Sequence, residues 1–359
     1  MLRHVKRTRK RLHVALVYNS DLGTGQIAPE DRGSVHDLRI MIRRMARTLR
    51  SVGYNVTVLP LARDLFGFQR KLRRLHPDVV FNQYDDVVHG ALYEMRLAAV
   101  VRMMGYPVTG SPALALGLTR YKYMSASLLH GASIPIPPQT ELLERLGDVD
   151  RHKRAFPLIV QPGQEHAGIG LERDSVVYSK KALRDKVRHI LHEYNQPALI
   201  QAFLPGREFN VGVVGGHRLR VMPLAEVVYD LPDDIPPIMS YAAKWVETSL
   251  EYQNTRVECP AQVEPELARQ IGVTALRAFR AVSGWGYGRV DIRLDDEDMP
   301  RVLEVNCNCC LDEGMGLARS AERAGIPYPQ LLQLVVKAAL EGPPYDVDIP
   351  MVQPISRPV

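Results

Sequence analysis

Residues Arg289 to Asn306 read RVDIRLDDEDMPRVLEVN, and the fold turns on them. Val290, Ile292 and Leu294 alternate with Arg289, Asp291 and Arg293. Further on, Val302, Leu303 and Val305 flank Glu304 and Asn306. Asp295-Asp296-Glu297-Asp298 separates the two runs as a polar turn, so the pattern predicts a β-hairpin. Side chains two apart share one face of a strand. Arg289 and Asp291 therefore share a face, as do Glu304 and Asn306. Closure about the turn sets Asp291 opposite Glu304 and Arg289 opposite Asn306. Directly opposed carboxylates repel each other. A divalent cation removes that penalty; Mg²⁺ typically takes one or two carboxylates, substrate phosphates and water. The same pattern is also that of an edge hairpin with solvated charges, and the residues by themselves leave both readings open.

The chain around this hairpin has 359 residues, mass for two or three domains with ample core. Hydrophobic residues make up 46% and charged ones 24%, which is ordinary for a globular protein and excludes a fibrous or disordered class. The net charge of +6 is local. Arg3, Lys6, Arg7, Arg9, Lys10 and Arg11 crowd the start without an acid, and setting those six aside leaves 40 basic residues against 40 acidic ones. The body is neutral, so the pI of about 9.1 is no argument for nucleic acid. The basic start reads as a solvated tail that could touch anionic partners. Cys259, Cys307, Cys309 and Cys310 form neither a disulfide framework nor a paired zinc set, and read as reduced thiols of a cytoplasmic protein. No run reaches a membrane span, and the apolar stretch after the basic start is too short for a signal peptide.

In chain order, Val14–Tyr18 reads as a strand entering a polar loop, Asn19–Gly33, with Ser34 as N-cap of a helix running to about Arg50. Strand Asn55–Leu59, helix Leu65–Leu75, strand Asp78–Asn82 and helix Gly90–Met104 continue a βαβαβ rhythm, which argues an open parallel sheet. Ligands of such sheets sit beyond the carboxyl ends of the strands, near the loops 19–33 and 82–90. A turn-rich joint, Tyr106–Pro112, leads to a helix near Lys122–His130. Strand Phe156–Gln161 runs into a loop at 162–170 with three glycines, where backbone amides could approach phosphate oxygens; a plain mobile hairpin fits that loop as well. A helix, Lys181–Tyr194, precedes three antiparallel strands at Ala198–Leu204, Glu208–Gly216 and His217–Tyr229. Leu231–Ser240 reads as a loop, Pro265–Val282 as a helix before the hairpin, and Leu311–Ala324 and Pro329–Leu340 as closing helices.

With these landmarks in order, the chain resembles the ATP-grasp superfamily and, within it, the D-alanine–D-alanine ligases. The stretches that carry the resemblance are YPVTGSPALALGLTRYKYMSASLL, FPLIVQPGQEHAGIGL, ALIQAFLPGREFNVGVVGG, SYAAKWVE and GRVDIRLDDEDMPRVLEVN, and it extends from about Val14 to Leu340. It implies an α/β chain of ATP-grasp fold: an N-terminal open parallel sheet domain, then two α+β subdomains that clasp ATP. The division expected is a basic tail at 1–12, an N-terminal domain at 13–118, a central subdomain at 119–200, a C-terminal subdomain at 201–342 and a Pro-rich tail at 343–359.

Residue by residue, the resemblance implies that Lys122 contacts phosphate and that the loop Glu165 to Gly170, with Gly168 and Gly170, closes over the phosphates. Phe203 and Leu204 are then the hinge whose backbone reads adenine, and Glu208 is the ribose carboxylate. Lys244 becomes a further phosphate lysine, on a loop that orders with ligand. Asp291, Glu304 and Asn306 become the Mg²⁺ (or Mn²⁺) ligands, and Arg289 the group that stabilises the acyl phosphate and tetrahedral intermediate. The implied reaction is two-step: a carboxylate attacks the γ-phosphoryl of ATP, and an amine then attacks the acyl carbon. Positioning and charge supply most of such catalysis, with no protein nucleophile.

Three departures qualify the resemblance. The family's strand lysine is Gln161 here, which removes a cation worth about 1.5–3 kcal/mol as a charge-assisted bond; Arg154 is a candidate to take its place. The adenine-side glutamate is Gln201, whose carbonyl still accepts from an amino group. On the substrate side, His36 stands near the family's amine-holding glutamate, Ala167 near its loop serine and Trp245 near its lid tyrosine, while Cys310 lies in a rebuilt loop, Cys307–Glu313. The expected function is therefore an ATP-dependent carboxylate–amine ligase acting on an amino acid or small peptide, with D-Ala–D-Ala synthesis disfavoured. The alternative is a catalytically silent ATP-grasp protein that binds nucleotide or a partner. Small-molecule substrates are the partners expected, without nucleic acid or membrane, and a homodimer stays open.

Overall fold

A computed structural model of the protein describes residues 11–20, 32–62, 64–84, 92–151, 153–164 and 168–343. Outside them lie Glu165 and Ala167, nearly all of both expected tails, and much of the loops 19–33 and 82–90; of His36 only the backbone is described.

The chain opens with β1 (His13–Asn19), α1 (Arg32–Ser51), β2 (Asn55–Leu61), α2 (Leu65–Leu75), β3 (Val79–Gln83) and α3 (Tyr93–Met103). The three strands form a parallel sheet in the order β2-β1-β3. A central parallel strand is covered on both faces and so reads as an unbroken apolar run. In β1, Val14 and Leu16 pack towards Met45 and Leu49 of α1, whereas Ala15 and Val17 pack towards Leu72 of α2 and Val101 of α3. The expected N-cap at Ser34 is displaced, because α1 already begins at Arg32.

Two helices follow: α4 (Ala113–Arg120), absent from the sequence reading, and α5 (Lys122–Gly131), read there as a helix near Lys122–His130. Pro112, read as part of a joint, is the residue that caps α4, and the helix after it is only eight residues long. A second, antiparallel sheet contains β4 (Glu141–Leu143), β5 (Leu158–Pro162), β6 (Val176–Val177) and, after α6 (Lys180–Glu193), β7 (Ala198–Ala202), ordered β4-β7-β5-β6. Leu183, Val187 and Ile190 of α6 cover Val160 and Ile200 of this sheet. The expected division after residue 200 cuts β7, whose pairing with β5 runs from Ala198 to Ala202; the expected one after 118 cuts α4.

The third sheet holds β8 (Glu208–Gly215), β9 (Arg220–Val221), β10 (Ala225–Tyr229) and, beyond α7 (Tyr241–Trp245) and α8 (Leu250–Gln253), β11 (Thr255–Glu258). After α9 (Pro265–Ala281) come β12 (Gly286–Leu294) and β13 (Pro300–Asn306), giving the order β11-β10-β8-β12-β13 with β9 on β8. The run 217–229, read as one strand, is two; Pro223 lies between them and has no N–H for the ladder. Ile271, Ala275 and Phe279 of α9 pack on Val211, Val290 and Ile292. α10 (Gly316–Arg323) and α11 (Tyr328–Glu341) close the chain, and Leu331 and Val335 of α11 join the core beneath β1.

Candidate active site

The hairpin forms with the register expected from its alternation: Arg289 faces Asn306 and Asp291 faces Glu304. Val290, Ile292 and Leu294 are fully buried on the opposite face. The pairing then shifts, because Ile292 faces Val302 and leaves Leu303 as an extra residue. In a regular strand Val302 and Glu304 would point the same way. The bulge breaks that phase, so Val302 enters the core while Glu304 reaches the cleft. At the turn, Asp295 is buried rather than solvated: its carboxylate accepts from the backbone of Glu297 and Met299 and from Arg301.

β8 lies on the other side of β12 and extends the row of polar residues. Asn210 stands beside Asp291 and donates to its Oδ1 at 3.1 Å, and Glu208 stands beside Arg293. Lys122, the first residue of α5, reaches Glu304 Oε2 at 3.1 Å. Arg289 grips both oxygens of Asp291, at 2.7 and 2.8 Å. Each opposed carboxylate thus has its own cation. The expectation that the pair costs stability unless a metal is bound is corrected on that ground. Asp291's charge, resisted by burial, raises the pKa of Arg289, which keeps the guanidinium charged. Lys244 behaves oppositely. Burial, then the positive charge of Arg289, lowers its ammonium pKa from the ordinary lysine value. It sits on α7, not on the loop expected for it, and its ammonium makes no hydrogen bond or ion pair with the described residues.

Most of these groups line one cleft between the second and third sheets, whereas Arg289, Asn210 and Asn306 stand behind its wall and do not line it. Lys122, Gln161, Gly168, Gln201, Phe203, Leu204, Glu208, Lys244, Asp291 and Glu304 all contribute to its walls. The empty space of the cleft, open solvent included, is about 820 Å³. Gly168 and Gly170 both adopt positive φ, at +83° and +72°. Gly170 does not line the cleft but sits where a Cβ would come 2.4 Å from Pro162, so it shapes the loop. The Phe203 amide donates to Pro157, so of the two hinge amides Leu204's is the one not spent on that bond. Asn306 holds its Oδ1 on the backbone amide of Asn308 at 2.9 Å.

Gln161 donates to Gln201 at 3.4 Å. Arg154 is committed elsewhere, to Glu141 at 2.8 Å and to the carbonyls of Val149 and Asp148. Among the expected substrate residues, Trp245 and Cys310 are exposed and neither lines this cleft. All four cysteines are free thiols; burial raises Cys307 to about 11 and Cys309 to about 12.

Arg293 escaped the sequence reading, although it continues the alternation of Arg289 and Asp291. It is 4% exposed, lies over the ring of Phe203 at 5.1 Å, and donates to Glu208 Oε2 at 3.1 Å and to the carbonyl of Pro237 at 2.7 Å. Tyr229 donates to the same Oε2 at 2.9 Å, and burial raises its phenol well above the ordinary value, so it stays a donor. Both bonds fall on one oxygen of Glu208, which leaves Oε1 without a hydrogen bond from the described residues. Tyr229, Asn210 and the bulge had no signal in the sequence, because each acts through a neighbour on the adjacent strand or one register step away.

Residues 139–337 match the family model described as the D-ala D-ala ligase C-terminus. An uncharacterized protein, y4sG, of Sinorhizobium fredii is 30% identical over 261 residues, 73% of this chain and 74% of that one. A D-alanine–D-alanine ligase of Marinomonas sp. is 27% identical over 304 residues, 82% of this chain and 88% of its own. Among solved structures, the D-alanine–D-alanine ligase of Bacillus anthracis complexed with ATP superposes with a TM-score of 0.70 at 20% identity, covering 93% of this chain and 98% of that one. The open parallel sheet followed by two antiparallel sheets is the fold they share.

Proposed function

The chain belongs to the D-alanine–D-alanine ligase family and is an ATP-grasp ligase that forms C–N bonds; from this premise we propose that it joins an amino acid or small peptide to a carboxylate through an acyl phosphate, with acceptors other than D-alanine. The observation that carries the site is the convergence of Lys122, Lys244, Asp291 and Glu304 on the cleft that also holds the hinge Phe203–Leu204. The nucleotide base lies on that hinge, taking the Leu204 amide, and the ribose meets the Oε1 of Glu208. The phosphates extend towards Lys122 and Lys244 beneath Gly168. Lys244, buried and without a carboxylate of its own, is the cation best placed to accept phosphate charge.

Asp291, Glu304 and Asn306 are the oxygen donors that would hold Mg²⁺ or Mn²⁺. Their hard oxygens fit such an ion, and the Asp291–Glu304 register brings both carboxylates to one edge of the cleft. When bound, the ion neutralises charge that develops on the transferring phosphoryl group. Arg289 is held charged and aimed by its two bonds to Asp291, and it supplies a donor to the oxyanion of the second step. We place the subdomain boundary at the hinge after Ala202, since β7 pairs wholly within the second sheet, and the end of the N-terminal domain before α4.

The case against D-alanine rests on substitutions at the substrate end: His36, Ala167, Trp245 and the loop Cys307–Glu313. A histidine can donate to a carboxylate, whereas the glutamate expected there holds an ammonium. ADP release across amino acids, N-blocked and dicarboxylate compounds and dipeptides tests the reading. Turnover should be highest with a substrate other than D-alanine, and His36→Glu should shift preference towards a free amine. Best turnover with D-alanine, unchanged by His36→Glu, would overturn it.

A further inference from the structure

The second sheet carries three polar side chains in a row, of which Gln161 and Gln201 line the cleft. Register pairs Glu141 with Ile200 and Ile159 with Gln201. Thr140, just ahead of β4, therefore stands across from Gln201, and Gln161 lies diagonally on Gln201's other side. The Thr140 hydroxyl is 2.6 Å from the carbonyl oxygen of Pro137, which can only accept. A hydroxyl has a single proton, and that contact uses it. The contact of 3.1 Å between Thr140 Oγ1 and the Gln201 amide must then be received by the threonine oxygen. Only the NH₂ of Gln201 can supply it. The carbonyl Oε1 of Gln201 consequently points the other way, where Gln161 Nε2 donates to it at 3.4 Å. The relay runs in one direction, from Gln161 through Gln201 and Thr140 to Pro137.

This matters because an amide, unlike a carboxylate, is ambivalent. Rotation by half a turn exchanges its acceptor for a donor. Gln201 is 4% exposed and lines the cleft, so its orientation decides what a bound base meets. We propose that Thr140 is a positioning residue for nucleobase choice: by anchoring the NH₂ of Gln201 to an obligate acceptor, it presents Oε1 to the base and selects a purine with an amino group at C6 over one with an oxo group. The carbonyl of Pro137 is thus the origin of a selectivity expressed two side chains away. The inference rests on the ATP site proposed above, and its test separates the two.

Binding of ATP and of ITP to the full-length protein with Mg²⁺, measured by calorimetry, reads the effect. The two nucleotides differ at C6, amino against oxo, and at N1, which carries a proton only in ITP, so the change of their ratio on altering Thr140 reads the part that Gln201 contributes. Wild type should bind ATP about tenfold or more tightly than ITP, because an oxo group facing Oε1 leaves two acceptors opposed. Thr140→Val should bring the ratio to within about threefold, mostly by improving ITP, and Thr140→Ser should keep the wild-type ratio. Gln201→Glu placed in the Thr140→Val background should restore preference for ATP, since a carboxylate accepts in either orientation. A threonine with only a packing role would weaken both nucleotides alike and would not be rescued by Gln201→Glu. Equal binding of ATP and ITP by wild type, or an unchanged ratio in Thr140→Val, overturns the inference and leaves the ligase reading standing. Absence of binding by either nucleotide overturns both. Thr140→Ala carries the same comparison if the valine variant does not fold.

Discussion

Lys244 carries a charge that burial and Arg289 both oppose, so its pKa in the free protein is lowered. Phosphate bound beside it would favour the charged form and raise that pKa again. Between the two values ATP binding takes up a proton, and affinity falls as pH rises. Calorimetry over a pH series below the ordinary lysine value, in two buffers of different ionisation enthalpy, should register proton uptake in wild type and none in Lys244→Arg, whose guanidinium does not titrate there. Equal uptake in both would assign the proton to another group. Gln161 concerns the same phosphates. Since Arg154 is tied to Glu141, no cation stands in for the missing lysine among the lining residues. Gln161→Lys should leave the fold intact and tighten ATP binding by up to about tenfold, one charge-assisted contact. Unchanged affinity would mean that Lys122 and Lys244 already saturate the phosphates.

The hairpin β12–β13 works as an element, because its register sets three rows at once: Arg289 with Asn306, Asp291 with Glu304 and, through β8, Arg293 with Glu208. Its metal role has a direct test. Wild-type ATP affinity should fall by about tenfold or more on adding EDTA, whereas Asp291→Asn with Glu304→Gln should bind ATP equally with and without chelator. Equal wild-type affinity in both conditions would remove the metal assignment. The register was legible in the alternation of Val290, Ile292 and Leu294, since period-two patterning has one solution when a face is buried. The bulge at Leu303 was not. Val302, Glu304 and Val305 are compatible with either phase until Phe279 and its neighbours define which side is core.

Across the whole molecule, the N-terminal sheet is locked to the hairpin by a buried polar network. Gln83 donates to Tyr287 at 3.2 Å, and Tyr287 donates to Asn308 at 3.0 Å. Asn308 donates in turn to the Tyr84 carbonyl at 2.9 Å and to Glu94 at 3.3 Å, which also takes Arg120. Removing one member leaves several partners unsatisfied in a low-dielectric setting. Asn308→Ala should destabilise the protein by about 2 kcal/mol, read from chemical denaturation. A change of less than about 0.5 kcal/mol would show the link to be passive.

The sequence by itself determined the order of the elements, the parallel rhythm of the first sheet, and the hairpin register. Each follows from local periodicity and turn chemistry, which act over a few residues. It also marked Lys122, Glu208, Asp291 and Glu304 as belonging together, through their order in a family pattern. Only the tertiary structure decided which partner each side chain takes: Lys122 on Glu304 across 182 positions, Arg293 on Glu208 across 85, Arg154 on Glu141 instead of the phosphate pocket. It alone split the run 217–229 at Pro223 and put Lys244 on a helix. The amide relay from Gln161 to Pro137 belongs there too. A hydrogen bond's direction depends on which acceptor lies at the end of the chain of contacts, and that acceptor is 24 positions from Gln161, in the segment that precedes β4.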